Sequence, residues 1–192
     1  IEAGIQSDRF WLKIVGNSTG TTSVVWTGCT FICPAGTGAA LVATDANVDT
    51  LTISGCSFRG FEQAIDFISA TTSGTHSITG CTFDGCGAIT PGFLLQDGTF
   101  TGNTISNSTA SATGALVLGS TGYVSGLDLT DTTFVSGGTG HAIYITQAGT
   151  YDFQDLVFSG YGADDTTNAA VYNNSGGSVT INAQDVSNLT VR

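Results

Sequence analysis

Trp26-Thr-Gly-Cys-Thr-Phe31, Ile53-Ser-Gly-Cys-Ser-Phe58 and Ile78-Thr-Gly-Cys-Thr-Phe83 are one phrase written three times. It continues in weaker form as Phe100-Thr-Gly-Asn-Thr-Ile105, Leu129-Thr-Asp-Thr-Thr-Phe134, Phe153-Gln-Asp-Leu-Val-Phe158 and Val186-Ser-Asn-Leu-Thr-Val191. Successive phrase ends lie 22 to 33 residues apart, a solenoid period, too long for a coiled coil and too short for a propeller blade. A second phrase sits between the copies: Ala40-Leu-Val, Ala64-Ile-Asp-Phe, Ala88-Ile-Thr, Ala115-Leu-Val-Leu, Ala142-Ile-Tyr-Ile and Ala170-Val-Tyr. The step from phrase end to alanine varies from 5 to 12 residues, which puts loops of unequal length on one side of the repeat.

Within a copy the apolar residues alternate, as in Leu51-Thr-Ile53, Leu127-Asp-Leu129 and Tyr151-Asp-Phe153. Period two means strands with one face inward. The third position of the first phrase holds Gly28, Gly55, Gly80, Gly102, Asp131, Asp155 and Asn188, the residue types that tolerate positive φ, so a left-handed bend is expected there. The next column, Cys29, Cys56, Cys81, Asn103, Thr132, Leu156 and Leu189, suits an inward stack. The one after it, Thr30, Ser57, Thr82, Thr104, Thr133, Val157 and Thr190, reads as an outward ladder. Three adjacent columns with separate chemistries predict an all-β fold. The expected architecture is a parallel β-helix of six to seven coils, three short strands per coil, stacked about 4.8 Å apart.

The repeated Ile-x-Gly-Cys-Thr-Phe phrase and the alanine phrase resemble those of the right-handed parallel β-helix (pectate-lyase-like) superfamily, which implies a right-handed solenoid, and within it the solenoids of phage tailspikes, tail fibres and other virion surface proteins. The resemblance covers residues 24–192. Residues 1–23, with Phe10-Trp11-Leu12-Lys13-Ile14-Val15, fit the repeat poorly and are expected to cap the open apolar end. The chain opens on Ile1 rather than Met, which predicts a piece of a longer polypeptide.

Composition agrees with strands. Of 192 residues, 31 are Thr, 18 Ser and 27 Gly, there is no Met, and only 10% are charged, against about a quarter in an average protein. A helical bundle is excluded, and 41% hydrophobic residues argue against disorder. Four Lys and Arg against fifteen Asp and Glu leave a net charge of −11. Neither nucleic acid nor an anionic membrane surface is an expected partner, because both need clustered cations.

Five cysteines cannot all pair within one chain. Cys29, Cys56 and Cys81 read as a reduced inward stack. The spacings around Cys33 and Cys86 are loose for zinc, and no metal site is expected from them. Asp128 and Asp152 point outward between apolar neighbours on adjacent coils. Two carboxylates so placed suit a retaining glycosidase or a surface calcium ion; the plain reading is a solvated surface. No cofactor is expected. The resemblance to catalytic β-helices carries no residues over. Pectate lyases pair a basic residue with calcium-binding acids, and only Arg59 lies inside a repeat. The polygalacturonase motifs are out of order or missing, since Gly140-His141 precedes Asp164-Asp165. Neither His76 nor His141 has an obvious nucleophile or metal ligand at a readable spacing, and each reads as a hydrogen-bonded structural residue. Outward positions of the second phrase, Val42, Asp66, Thr90, Val117, Tyr144 and Tyr172, turn aromatic towards the C-terminus. Val117, Tyr144 and Tyr172 are therefore the candidate binding or subunit contacts.

The leading expectation is a structural and receptor-recognition module on a virion surface, homotrimeric, contacting other virion proteins or a host-surface glycan. A polysaccharide-degrading lyase or hydrolase using Asp128 and Asp152 is the alternative. A secreted adhesin or ice-binding solenoid, with the threonine ladder as its flat face, is the second.

Overall fold

Short strands separated by left-handed residues turn the chain through corners, and equal spacing of the corners stacks each turn on the last. The computed structural model describes residues 10–15, 23–33, 36, 38–44, 50–67, 75–89, 98–110, 113–119, 127–162 and 167–192. Their strands fall into three stacks. Ahead of the bend lie β2 (Ser23–Thr27), β5 (Thr50–Ser54), β8 (Thr75–Thr79), β10 (Thr99–Thr101), β15 (Gly149–Gln154) and β18 (Val179–Gln184). Behind it lie β3 (Thr30–Ile32), β6 (Ser57–Arg59), β9 (Thr82–Asp84), β11 (Thr104–Ser106), β13 (Thr133–Val135) and β16 (Val157–Ser159). The alanine phrase forms β1 (Phe10–Val15), β4 (Ala39–Thr44), β7 (Gln63–Phe67), β12 (Gly114–Leu118), β14 (His141–Ile145) and β17 (Val171–Asn173). Every strand pairing is parallel. The chain is an all-parallel β-solenoid.

The post-bend stack is a single six-stranded sheet, and a bridge from Val157 to Ser187 extends it by one rung. Turns with a strand on all three faces number about four, fewer than the six to seven coils expected. In the remaining turns one face narrows to a single bridge, such as Ile89 to Leu116 or Thr99 to Asp128. The described part of segment 1–23 is β1, which pairs in parallel with β4, Leu12 against Leu41. It is thus a rung of the alanine stack, while residues 1–9 and 16–22 of the expected cap lie outside the described residues.

Like stacks on like inside. Phe31, Phe58 and Phe83 are spaced 5.1 and 4.9 Å between ring centroids, and Phe134 lies 5.2 Å from Phe158. Ala40, Ala64, Ala115, Ala142 and Ala170 are fully buried.

The bend column has the backbone its residue types predict. Gly28, Gly55, Gly80 and Gly102 have φ between 57° and 63°, and Asp131 and Asp155 have φ of 61° and 53°. The seventh member needs correction. β18 pairs with β15 so that Phe153 meets Ala183 and Gln154 meets Gln184, which puts Asp185, φ 53°, beneath Asp155. Val186 and Ser187, rather than Leu189 and Thr190, then continue the next two columns. Asn188 is also left-handed, φ 59°, but it makes a further bend at the end of the rod. Two overlapping frames each placed an Asp or Asn at the third position, and only the hydrogen-bonded register separates them.

Candidate functional site

The outward column Thr52, Ser77, Thr99 and Asp128 on the pre-bend face leads to where the solenoid opens. From β2 to β10 the strands form one sheet, and a bridge carries it to Asp128. β15, in the next turn, belongs instead to a separate two-stranded sheet with β18. The other two faces stay closed at this level, with β13 on β16 and β14 on β17. Two features oppose closing the ladder. Asp128 and Asp152 would stand directly opposite each other, and like charges so placed destabilise a sheet. Tyr151, fully buried with its hydroxyl donated to the Gln147 carbonyl at 2.7 Å, fills the inward position that Leu127 fills one turn earlier.

The result is an open groove of about 480 Å³. Leu127, Leu129 and Phe153, all buried, make its floor, and Asp128, Thr130, Asp152, Gln154, Asn182 and Gln184 stand around it. The Asp128 Oδ1 atom accepts from the Thr130 backbone N–H at 3.0 Å and from its hydroxyl at 2.6 Å. Asp152 Oδ1 accepts from the Asn182 amide at 2.7 Å. Backbone groups face the gap as well. Gly149 and Asp155 donate towards the C-terminal turn, to Ser178 and Gln184. Alternation along a parallel strand therefore aims the N–H and C=O of Thr150, Asp152 and Gln154 at the groove. The arrangement offers fixed carboxylates, amides and hydroxyls over an apolar floor. That combination fits a molecule with hydroxyl edges and apolar faces.

The two candidate acids thus line one groove. Among the described residues no group of three or more His, Cys, Asp and Glu is placed to hold a metal ion. Arg59 is remote from these acids: it pairs with Asp84 at 3.5 Å on the post-bend face. The Asp84 carboxyl is held below its usual range, first by the Asn107 amide and also by Ser106 and Arg59.

The cysteine column does more than fill space. All five cysteines are free thiols. The Cys29 N–H donates to Cys56 Sγ at 3.4 Å, the Cys56 N–H to Cys81 Sγ at 3.4 Å, and the Cys81 N–H to Asn103 Oδ1 at 2.8 Å. Each side chain supplies the acceptor that a strand partner would supply elsewhere. Burial pushes the Cys56 thiol up and that of Cys81 up to about 11, so both stay protonated and poorly nucleophilic. Asn103 was the visible signal, because an amide in a buried column that follows three cysteines requires a hydrogen-bonding role.

Val117, Tyr144 and Tyr172 stand in register on the alanine face. The tyrosine rings stack at 5.6 Å, and His141 lies over Tyr172 at 4.3 Å. All three outward residues are half-buried rather than exposed. His141 is buried, accepts the Ala169 N–H on Nδ1 at 3.0 Å, and is held neutral by desolvation, which lowers its pKa. Val42, Asp66 and Thr90, the earlier members of this row, lie outside the residues whose side chains are described. Compared with protein-family models, with curated proteins and with solved structures, the chain matches none.

Proposed function

We propose that this chain is a structural and recognition rod whose pre-bend groove takes a surface glycan. The observation that carries the reading is the split between Asp128 and β15, which places hydrogen-bonding side chains and backbone groups over an apolar floor on a rigid stack. Its assignment to a phage virion, as part of a tail fibre, tailspike or surface appendage, rests on the resemblance of the repeated phrase; an extracellular adhesin is the corresponding secreted form. Homotrimeric association would use the Val117–Tyr144–Tyr172 row, and light scattering would then give three times the 19.5 kDa of one chain.

A screen of the chain against immobilised bacterial surface polysaccharides tests the binding. Ala183 is exposed and lines the groove, so Ala183→Trp is expected to weaken capture by about tenfold or more, as the indole fills the floor. Tyr172→Ala, on another face, is expected to leave it unchanged. Capture indifferent to Ala183→Trp would contradict the assignment.

The presence of both acids in one groove favours a second reading, glycan cleavage. New reducing ends appearing with the native chain, and none with the Asp128→Ala/Asp152→Ala double variant, would establish it. Cleavage that survives both substitutions removes these acids from the chemistry.

A further inference from the structure

The geometry points to a modification site in the cysteine column: Cys29 and Cys56 form a disulfide on exchange with a small-molecule disulfide. The bond staples the turn of β2 and β3 to that of β5 and β6. Thr27 pairs with Ser54 and Thr30 with Ser57, so Cys29 and Cys56 share one register. Rungs about 4.8 Å apart fall within the Cα separations of about 4.4–6.8 Å that a disulfide spans. The Cys56 Sγ atom already leans towards the turn of Cys29, whose N–H it accepts at 3.4 Å. The Cys29 thiol donates to the Thr27 carbonyl at 3.5 Å, and rotation about its Cα–Cβ bond turns it towards Cys56. The side chains already interact, since the Cys56 thiol is pushed up first by burial and also by the Cys29 thiol.

Access selects this pair. Cys56 and Cys81 are buried, whereas Cys29 is half-buried, so an oxidant meets Cys29 first. Cys81 repeats the register, but it is 1% exposed and its thiol is pushed up to about 11. Cys33 and Cys86 lie two rungs apart, about 10 Å along the rod, beyond the reach of a disulfide. The Cys29 thiolate attacks one sulfur of the small disulfide, giving a mixed disulfide and releasing one small thiol. Cys56 then gives up its proton and displaces the second small thiol from the Cys29 sulfur. Two cysteines are oxidised, one disulfide is reduced to two thiols, and the two protons pass to the released sulfurs. Burial slows the second step, but Cys56 is held beside its target and need not find it. β2 and β3 are the end strands of their sheets, where fraying begins and where a staple acts against it.

Incubation of the folded chain with oxidised glutathione, then alkylation of the remaining thiols and peptide mapping, tests the pairing. Cys33 is also half-buried, so the map is read in a Cys33→Ser chain, where four of the five thiols remain. These four are expected to fall to two. Asp45 and Asp49 lie between the two cysteines, so cleavage before aspartates should release the Cys29 peptide joined to the Cys56 peptide until reductant is added. The same link is expected in the native chain. With Cys29→Ser added, neither a disulfide nor a glutathione adduct on Cys56 should form. Four unchanged thiols, a lasting glutathione adduct on Cys29, or a link between Cys56 and Cys81 overturns the proposal.

Discussion

Replacing Phe83 by alanine is expected to remove about 3–5 kcal/mol of stability, the range for deleting a buried aromatic ring. The ring is fully buried and stacks at 4.9 Å on Phe58 and at 6.0 Å on Phe100. β9, which carries it, is bonded on both sides, to β6 and to β11. The rungs above and below therefore cannot close over the cavity without breaking ladder hydrogen bonds. Because each turn of a solenoid is stabilised chiefly by its two neighbours, a defect in the middle uncouples the halves. Phe31, half-buried towards the N-terminal end, has less to lose on truncation, and Phe31→Ala should cost clearly less. Urea unfolding followed by circular dichroism measures both; a Phe83→Ala loss under about 1 kcal/mol would mean the phenylalanine stack is not a rigid core.

Asn103→Leu is expected to cost about 1–3 kcal/mol although leucine is larger in apolar surface and similar in size. Asn103 is 1% exposed. Its Oδ1 takes the Cys81 N–H at 2.8 Å and its Nδ2 donates to the Ile78 carbonyl at 3.0 Å. Leucine would leave the buried Cys81 N–H unpaired, worth about 1–3 kcal/mol, against a partial gain from apolar burial, while the Ile78 carbonyl stays in the ladder between β8 and β10. Asn103→Cys should cost less than Asn103→Leu, because a thiol accepts the same N–H one and two turns earlier. Equal stability of the leucine and native chains would show that this column is packed rather than hydrogen-bonded.

What the sequence made legible follows from which interactions repeat. The bend is dictated locally by residues that tolerate positive φ, so six of its seven positions were readable without a structure. The seventh was misplaced because Asp185 and Asn188 both satisfy the local rule, and the choice is made by pairing with β15 thirty residues away. The inward position of Cys29, Cys56 and Cys81 followed from alternation. Their role as acceptors did not, because a thiol looks apolar until the N–H of the adjacent turn is placed beside it. Asp128 and Asp152 stood out as charges between apolar neighbours. The groove they border was not legible, since it arises where two turns fail to pair on one face while pairing on the others. The aromatic row was correctly aligned, but its half-burial comes from the rings covering one another and from His141 lying over Tyr172.

Residue-resolved amide hydrogen exchange across β15 tests the split most directly. The account predicts two classes within one strand. Amides of Tyr151 and Phe153, directed at β18, should be strongly protected, and those of Thr150, Asp152 and Gln154, directed at the groove, should exchange quickly. Uniform protection along residues 149–154 would mean that β15 is bonded on both sides. The pre-bend face would then be closed, and no groove would exist there to recognise anything.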